Sequence, residues 1–150
     1  IGTMQDATEV LTEINKVVNW YKKQKSSYND IDSLLYTRKH LSCWSFSLAE
    51  IVGEAYTLFK EYEYERKSSF EKERLRIKKT QSTSVADAEM QAAASSADMR
   101  KAENESEAIF KRLSLTLNAT NEILQTLNQH IAHLRSEKQA EMKGQGSQGT

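Results

Sequence analysis

The sequence predicts an all-α protein: an elongated antiparallel helical hairpin of coiled-coil type, with a short helix at its tip and an N-terminal helix that folds back or oligomerises. Three observations predict it. Proline is absent from all 150 residues and only five glycines occur, so the residues that punctuate strands and tight turns are missing. Apolar residues recur at alternating steps of three and four over three stretches, which is the spacing of one helix face. The charged residues fall into blocks whose signs oppose each other when the chain is folded back on itself.

The first helix is read from Val10, Ile14, Val17, Tyr21, Tyr28, Ile31 and Leu35, a heptad stripe in which only Gln24 interrupts the series. Ser26-Ser27-Tyr28-Asn29-Asp30 is the one place where it can break, with Ser27 and Asp30 at the spacing of a helix cap. Unbroken, a helix over residues 6–79 spans ~110 Å at ~1.5 Å per residue. A second run follows in a shifted frame: Leu41, Trp44, Leu48, Ile51, Ala55, Leu58 and Tyr62. Gly53, the only interior glycine, is expected to mark a bend or a close approach of two helices.

Residues 80–96 are read as the tip. Thr80-Gln81-Ser82-Thr83-Ser84 is polar and poor in helix formers, and Ser84 with Asp87 has cap spacing ahead of an alanine-rich piece from Val85 to Ala94. Ser95 with Asp98 repeats that spacing before a long last helix over residues 97–141. Its stripe is Phe110, Leu113, Leu117, Leu124, Leu127, Ile131 and Leu134, with Thr120 as the one polar member. The glycine-containing residues 142–150 are expected to be a disordered tail. The whole chain is then a single helical domain.

Charge gives an independent check on the reversal. Residues 66–79 hold seven basic side chains against two glutamates, and residues 50–65 hold five glutamates against Lys60. Folding at 80–96 places the basic block beside 97–110, where Asp98, Glu103, Glu105 and Glu107 outnumber Arg100 and Lys101. It places the acidic block beside 111–126, where Lys111 and Arg112 outnumber Glu122. Opposed signs favour one register over others even though each exposed pair is weak. In this register Leu58 faces Leu117, and His40 falls near residues 135–136, within reach of His133. Residues 6–34 have no partner in the hairpin. Their stripe must be buried somewhere, and pairing with another chain is preferred to folding back.

Composition bounds the function. The net charge is zero, which removes the whole-protein argument for nucleic acid or anionic membrane as a partner. No apolar run approaches the ~20 residues of a membrane span, and Asp6 and Glu9 interrupt any leader-like stretch. Cys43 is the only cysteine, so a reducing, cytoplasmic setting and a role as apolar filler are expected. His130 and His133 share a helix face, but no further ligand pattern accompanies them, and no metal or cofactor is expected. Clustered glycines for a phosphate loop are missing, as is any loop to form an oxyanion site beside Cys43 and His40. No enzyme is expected.

Two candidate sites remain. Arg66, Lys67, Lys72, Arg74, Arg76, Lys78 and Lys79 are the polyanion candidate, since cations on a helix neutralise phosphates without regard to sequence. Phe70 is the one aromatic among them, so base stacking is poorly supplied. Val10, Ile14, Val17, Trp20, Tyr21 and Tyr28 are the candidate interface for a protein partner or a second copy. Trp20 and Tyr64 lie off the inward stripe, which points to a wider bundle or a binding face.

From Ser84-Val85-Ala86-Asp87-Ala88-Glu89 through Ala92-Ala93-Ala94-Ser95 into the long last helix, the chain resembles small coiled-coil hairpin proteins of tailed phages and prophages. That resemblance implies an accessory or interaction role among recombination and replication genes, and no catalytic motif. The leading expectation is therefore a non-enzymatic interaction protein that binds a protein partner through helical faces. The alternative is a nucleic-acid-binding accessory factor acting through residues 66–79.

Overall fold

The computed structural model describes residues 2–81 and 84–148, with side chains described over 7–81 and 84–144. It is an all-α helical hairpin of four helices: α1 (Gly2–Lys22), α2 (Ile31–Gln81), α3 (Val85–Ser95) and α4 (Ala97–Gln148). Helix α4 continues past residue 141 to Gln148, so the described part of the expected tail is helical. The chain divides into two compact units, residues 1–51 with 115–150, and residues 52–114.

The helix ends follow local chemistry. Helix α1 stops at Lys22, and the Gln24 side-chain amide donates to the Trp20 carbonyl at 2.9 Å, satisfying one of the acceptors a helix C-terminus leaves open. The cap of α2 is Asp30 itself, not Ser27. Its carboxylate accepts from the Ser33 hydroxyl at 2.8 Å and from the Ser33 amide at 3.3 Å. Those bonds hold the Asp30 carboxyl below its ordinary value. Ser84 caps α3 as its spacing predicts, accepting from the Asp87 amide at 3.2 Å. Between α3 and α4 the single junction residue is Ser96, one position beyond the expected Ser95. Ser95 lies in the last turn of α3 and donates its hydroxyl to the Gln91 carbonyl.

The unit of residues 1–51 and 115–150 is a three-helix arrangement of α1, the first part of α2 and the last part of α4. Helix α1 folds back onto the other two, which the preferred sequence reading did not choose. Its buried face is Ala7, Val10, Ile14 and Val18, stepping by four where the heptad reading has Val17. Leu34 is likewise buried and Leu35 only half-buried. An ordinary 3.6-residue helix drifts off a strict seven-residue repeat, so the inward face moves by one position along α1. Leu34, Leu41 and Leu48 from α2 and Leu127 from α4 have no exposed surface, and Ile131 has 1%. Each such side chain contributes ~1.5–3 kcal/mol relative to exposure. Thr120 sits among them at 2% exposure and donates its hydroxyl to the Thr116 carbonyl at 2.8 Å, so its polarity costs little. Ser45 is buried and donates to Asn121 Oδ1 at 2.8 Å.

The unit of residues 52–114 contains the reversal. Ile77 on α2 packs with Ala88 and Ala92 of α3, with Phe70 against them. The two alanines are one turn apart and fully buried, and only a methyl side chain lets α3 lie this close to α2. Farther along, Phe110 is flanked by Tyr56 at 5.2 Å and stacked with Phe59 at 6.3 Å between ring centroids. Gly53 is solvent-exposed, and a Cβ built there meets nothing within 4 Å. The expected close approach of a second helix is not made at this glycine.

Register differs from the sequence reading in both units. In the first, Arg38 bonds Asn128 at 3.2 Å and Ser45 bonds Asn121. His40 therefore lies near the level of Thr126 and not of residues 135–136. In the second, the rings of Tyr56 and Phe59 meet Phe110, so Leu58 lies at that level and not opposite Leu117. In the second unit the tip accounts for this: α3 packs back along α2 against Ile77 and takes up part of the return path before α4 begins.

Candidate functional site

The candidate interface residues of the N-terminal stripe are divided by the fold. Val10 and Ile14, at 6% and 3% exposure, belong to the interior of their own unit and present no surface to a partner. Tyr21 and Tyr28 are half-buried at the point where the α1–α2 connection meets α4. There the Tyr28 carbonyl accepts from His130 Nε2 at 2.8 Å, and the Tyr21 hydroxyl donates to Nδ1 at 3.0 Å. A carbonyl can only accept, so the neutral ring carries its proton on Nε2 and both nitrogens are used. Burial raises the Tyr21 phenol above its ordinary value.

Val17 and Trp20 are left facing outward, and they line a groove with residues that the stripe did not select. On α1 it is lined by Glu13, Lys16, Val17 and Trp20. On α2 it is lined by Asp32, Ser33, Tyr36, Thr37 and His40, enclosing about 680 Å³. Trp20 is 37% exposed and stands edge-on to Tyr28 at 5.7 Å. Tyr36 is 65% exposed and lies over His40, ring centroids 4.2 Å apart. The Lys16 ammonium is held by Glu13 at 3.0 Å. An aromatic-lined concave surface with a few polar groups can seat an apolar or aromatic side chain of another protein. The signal for Tyr36 and His40 was their four-residue spacing, which puts both on one face of α2. That face is not the inward one, so a search confined to the stripe passes over it.

The basic stretch is largely engaged. Arg66 forms a two-pronged pair with Glu103 across the hairpin, the second contact at 3.3 Å, with both side chains mostly buried. This is the cross-helix complementarity expected from the charge blocks, and it raises the Arg66 guanidinium above its ordinary value, chiefly through the hydrogen bond. The other pairs are within α2: Lys67 with Glu63, Arg74 with Glu71, and Arg76 with Glu73. Lys72, Lys78 and Lys79 are exposed to solvent. The seven cations are thus not gathered into one open patch.

The remaining single-residue candidates resolve separately. Cys43 is exposed and not a core filler, because Leu41, Ser45 and Leu48 take the inward positions of α2. His133 pairs with Glu137 at 3.0 Å, and the His40 ring lies against Tyr36, the ring planes tilted by 40°, rather than near His133. Among the described residues no group of three or more His, Cys, Asp or Glu side chains is placed to hold a metal ion, and no helix is long and apolar enough to cross a membrane. No protein-family model, curated protein or solved structure matches this chain.

Proposed function

We infer that the chain is a non-enzymatic interaction protein that receives a segment of a protein partner in the groove between α1 and α2. The observation carrying this reading is the convergence of Trp20 and Tyr36, from two helices, on one solvent-open concave surface. Large aromatics are costly to leave in water, and they dominate the energetics of protein interfaces when covered. The accessory role implied by the resemblance to phage hairpin proteins accords with it. The nucleic-acid reading has less support, because Arg66, Lys67, Arg74 and Arg76 already have acidic partners.

The test places a photo-crosslinking amino acid at His40, on the rim of the groove, in cells expressing the protein. The expected result is a discrete adduct with a second protein that disappears in Trp20→Ala/Tyr36→Ala and persists in Phe46→Ala, since Phe46 is exposed but outside the groove. An adduct formed only between two copies would replace the partner with self-association. No adduct at all would end the interaction reading of this groove.

A further inference from the structure

The same unit carries a second groove, of different chemistry, between α1 and α4. Its floor is apolar, built from Val18, Tyr21 and Ile123, and its rim carries Lys22, Lys25 and His133. The volume is about 600 Å³, and no carboxylate lines it. Glu137 lies one turn beyond His133 and is paired with it. Lys22 and Lys25 are exposed, and neither forms an ion pair among the described residues. On α4 the lining positions Ile123, Thr126, His130 and His133 recur at three- and four-residue steps. They form one face running ~15 Å along the helix.

The geometry points to this groove as the seat of an acidic amphipathic helix from a partner protein. Three helices of one unit leave an open furrow between two of them, which is where a further helix packs in helix-in-groove recognition. The floor calls for leucine-like side chains on the face that enters. The rim calls for carboxylates on the flanks, because two lysines with no competing acid reward negative charge and penalise positive. A nucleic acid would satisfy the lysines but has no aliphatic face to cover Val18 and Ile123. In a second copy of this chain the two acidic stretches, residues 50–65 and 97–110, are already packed, with Ile51, Ala55, Glu103 and Ser106 buried. The proposal is independent of the α1–α2 groove, where the charged lining is of both signs.

The test uses the full chain and four fluorescent probes: an 18-residue helix with leucines on one face and glutamates on the other, its lysine counterpart, and single- and double-stranded oligonucleotides. The glutamate helix should bind, and Lys22→Glu/Lys25→Glu should weaken it by about tenfold or more. Ile123→Glu should weaken it comparably, and circular dichroism should show unchanged helicity in both variants. Trp20→Ala/Tyr36→Ala, in the other groove, should leave the affinity unchanged. Equal binding of the lysine helix, tighter binding of either oligonucleotide, or indifference to the two lysine changes would overturn the assignment. None of those outcomes bears on the crosslink at His40.

Discussion

The Tyr21 hydroxyl donates to Nδ1 of His130 at 3.0 Å, joining residues 109 positions apart in the chain. With the Tyr28 carbonyl accepting from the other ring nitrogen, a single imidazole on α4 holds both sides of the α1–α2 connection. This junction also separates the two grooves, since Tyr21 lies in the floor of one and Tyr28 supports Trp20 in the other.

Tyr21→Phe should therefore destabilise the protein by ~1 kcal/mol, the usual net worth of one hydrogen bond. The variant should also change the response to alkali. The folded phenol titrates above its ordinary 10.0, so the stability it confers is complete below pH 10 and is lost as pH rises through the higher folded value. Urea unfolding on either side of that range should show a steeper alkaline loss in the wild type than in Tyr21→Phe. Parallel losses would mean that the phenol is not differentially buried.

Gly53→Ala should stabilise the protein by ~0.5–1 kcal/mol. The position is helical and exposed, and the added methyl meets no neighbour. What changes is the backbone freedom of the unfolded chain. A melting temperature that falls would indicate that something does approach this face.

At the tip, Ile77→Ala should cost ~2–4 kcal/mol by opening a cavity. Ala92→Leu should cost ~1–3 kcal/mol by forcing α3 away from α2. Hydrogen exchange in residues 70–95 should accelerate in both variants. If Ala92→Leu is neutral, the close packing described between Ile77 and the two alanines is wrong.

Arg66 and Arg76 offer a matched comparison of ion pairs. Arg66→Met strands Glu103, which is 7% exposed, and should cost ~1–3 kcal/mol. Arg66→Met/Glu103→Leu should recover most of that loss, as replacement of a buried pair by apolar groups often does. Arg76→Gln, whose pair with Glu73 is exposed, should be without measurable effect. The same logic applies to Arg74→Gln/Arg76→Gln/Lys78→Gln/Lys79→Gln. Helicity should persist, and gel shifts at ~150 mM salt should detect little nucleic-acid affinity to lose. Submicromolar, salt-sensitive binding that vanishes in that variant would restore residues 66–79 as the functional surface.

Much of the backbone was legible because periodicity and capping are local. The absence of proline, the stripe from Leu113 to Leu134, Thr120 within it, and Ser84 ahead of α3 each depend on residues within a turn or two of one another. The reversal was legible from a longer-range signal, the opposed charge blocks that meet at Arg66 and Glu103. What only the tertiary structure decided is which apolar surfaces find each other. Whether α1 folds back depends on competition for the exposed faces of α2 and α4, settled by contacts such as Tyr21 with His130. The register depends on how much of the return path α3 consumes, which turns on two alanines against Ile77. The grooves are absences of packing between helices. A one-residue shift of the inward face, from Val17 to Val18, decides which side chains line them, and a helical period read from sequence does not resolve one residue.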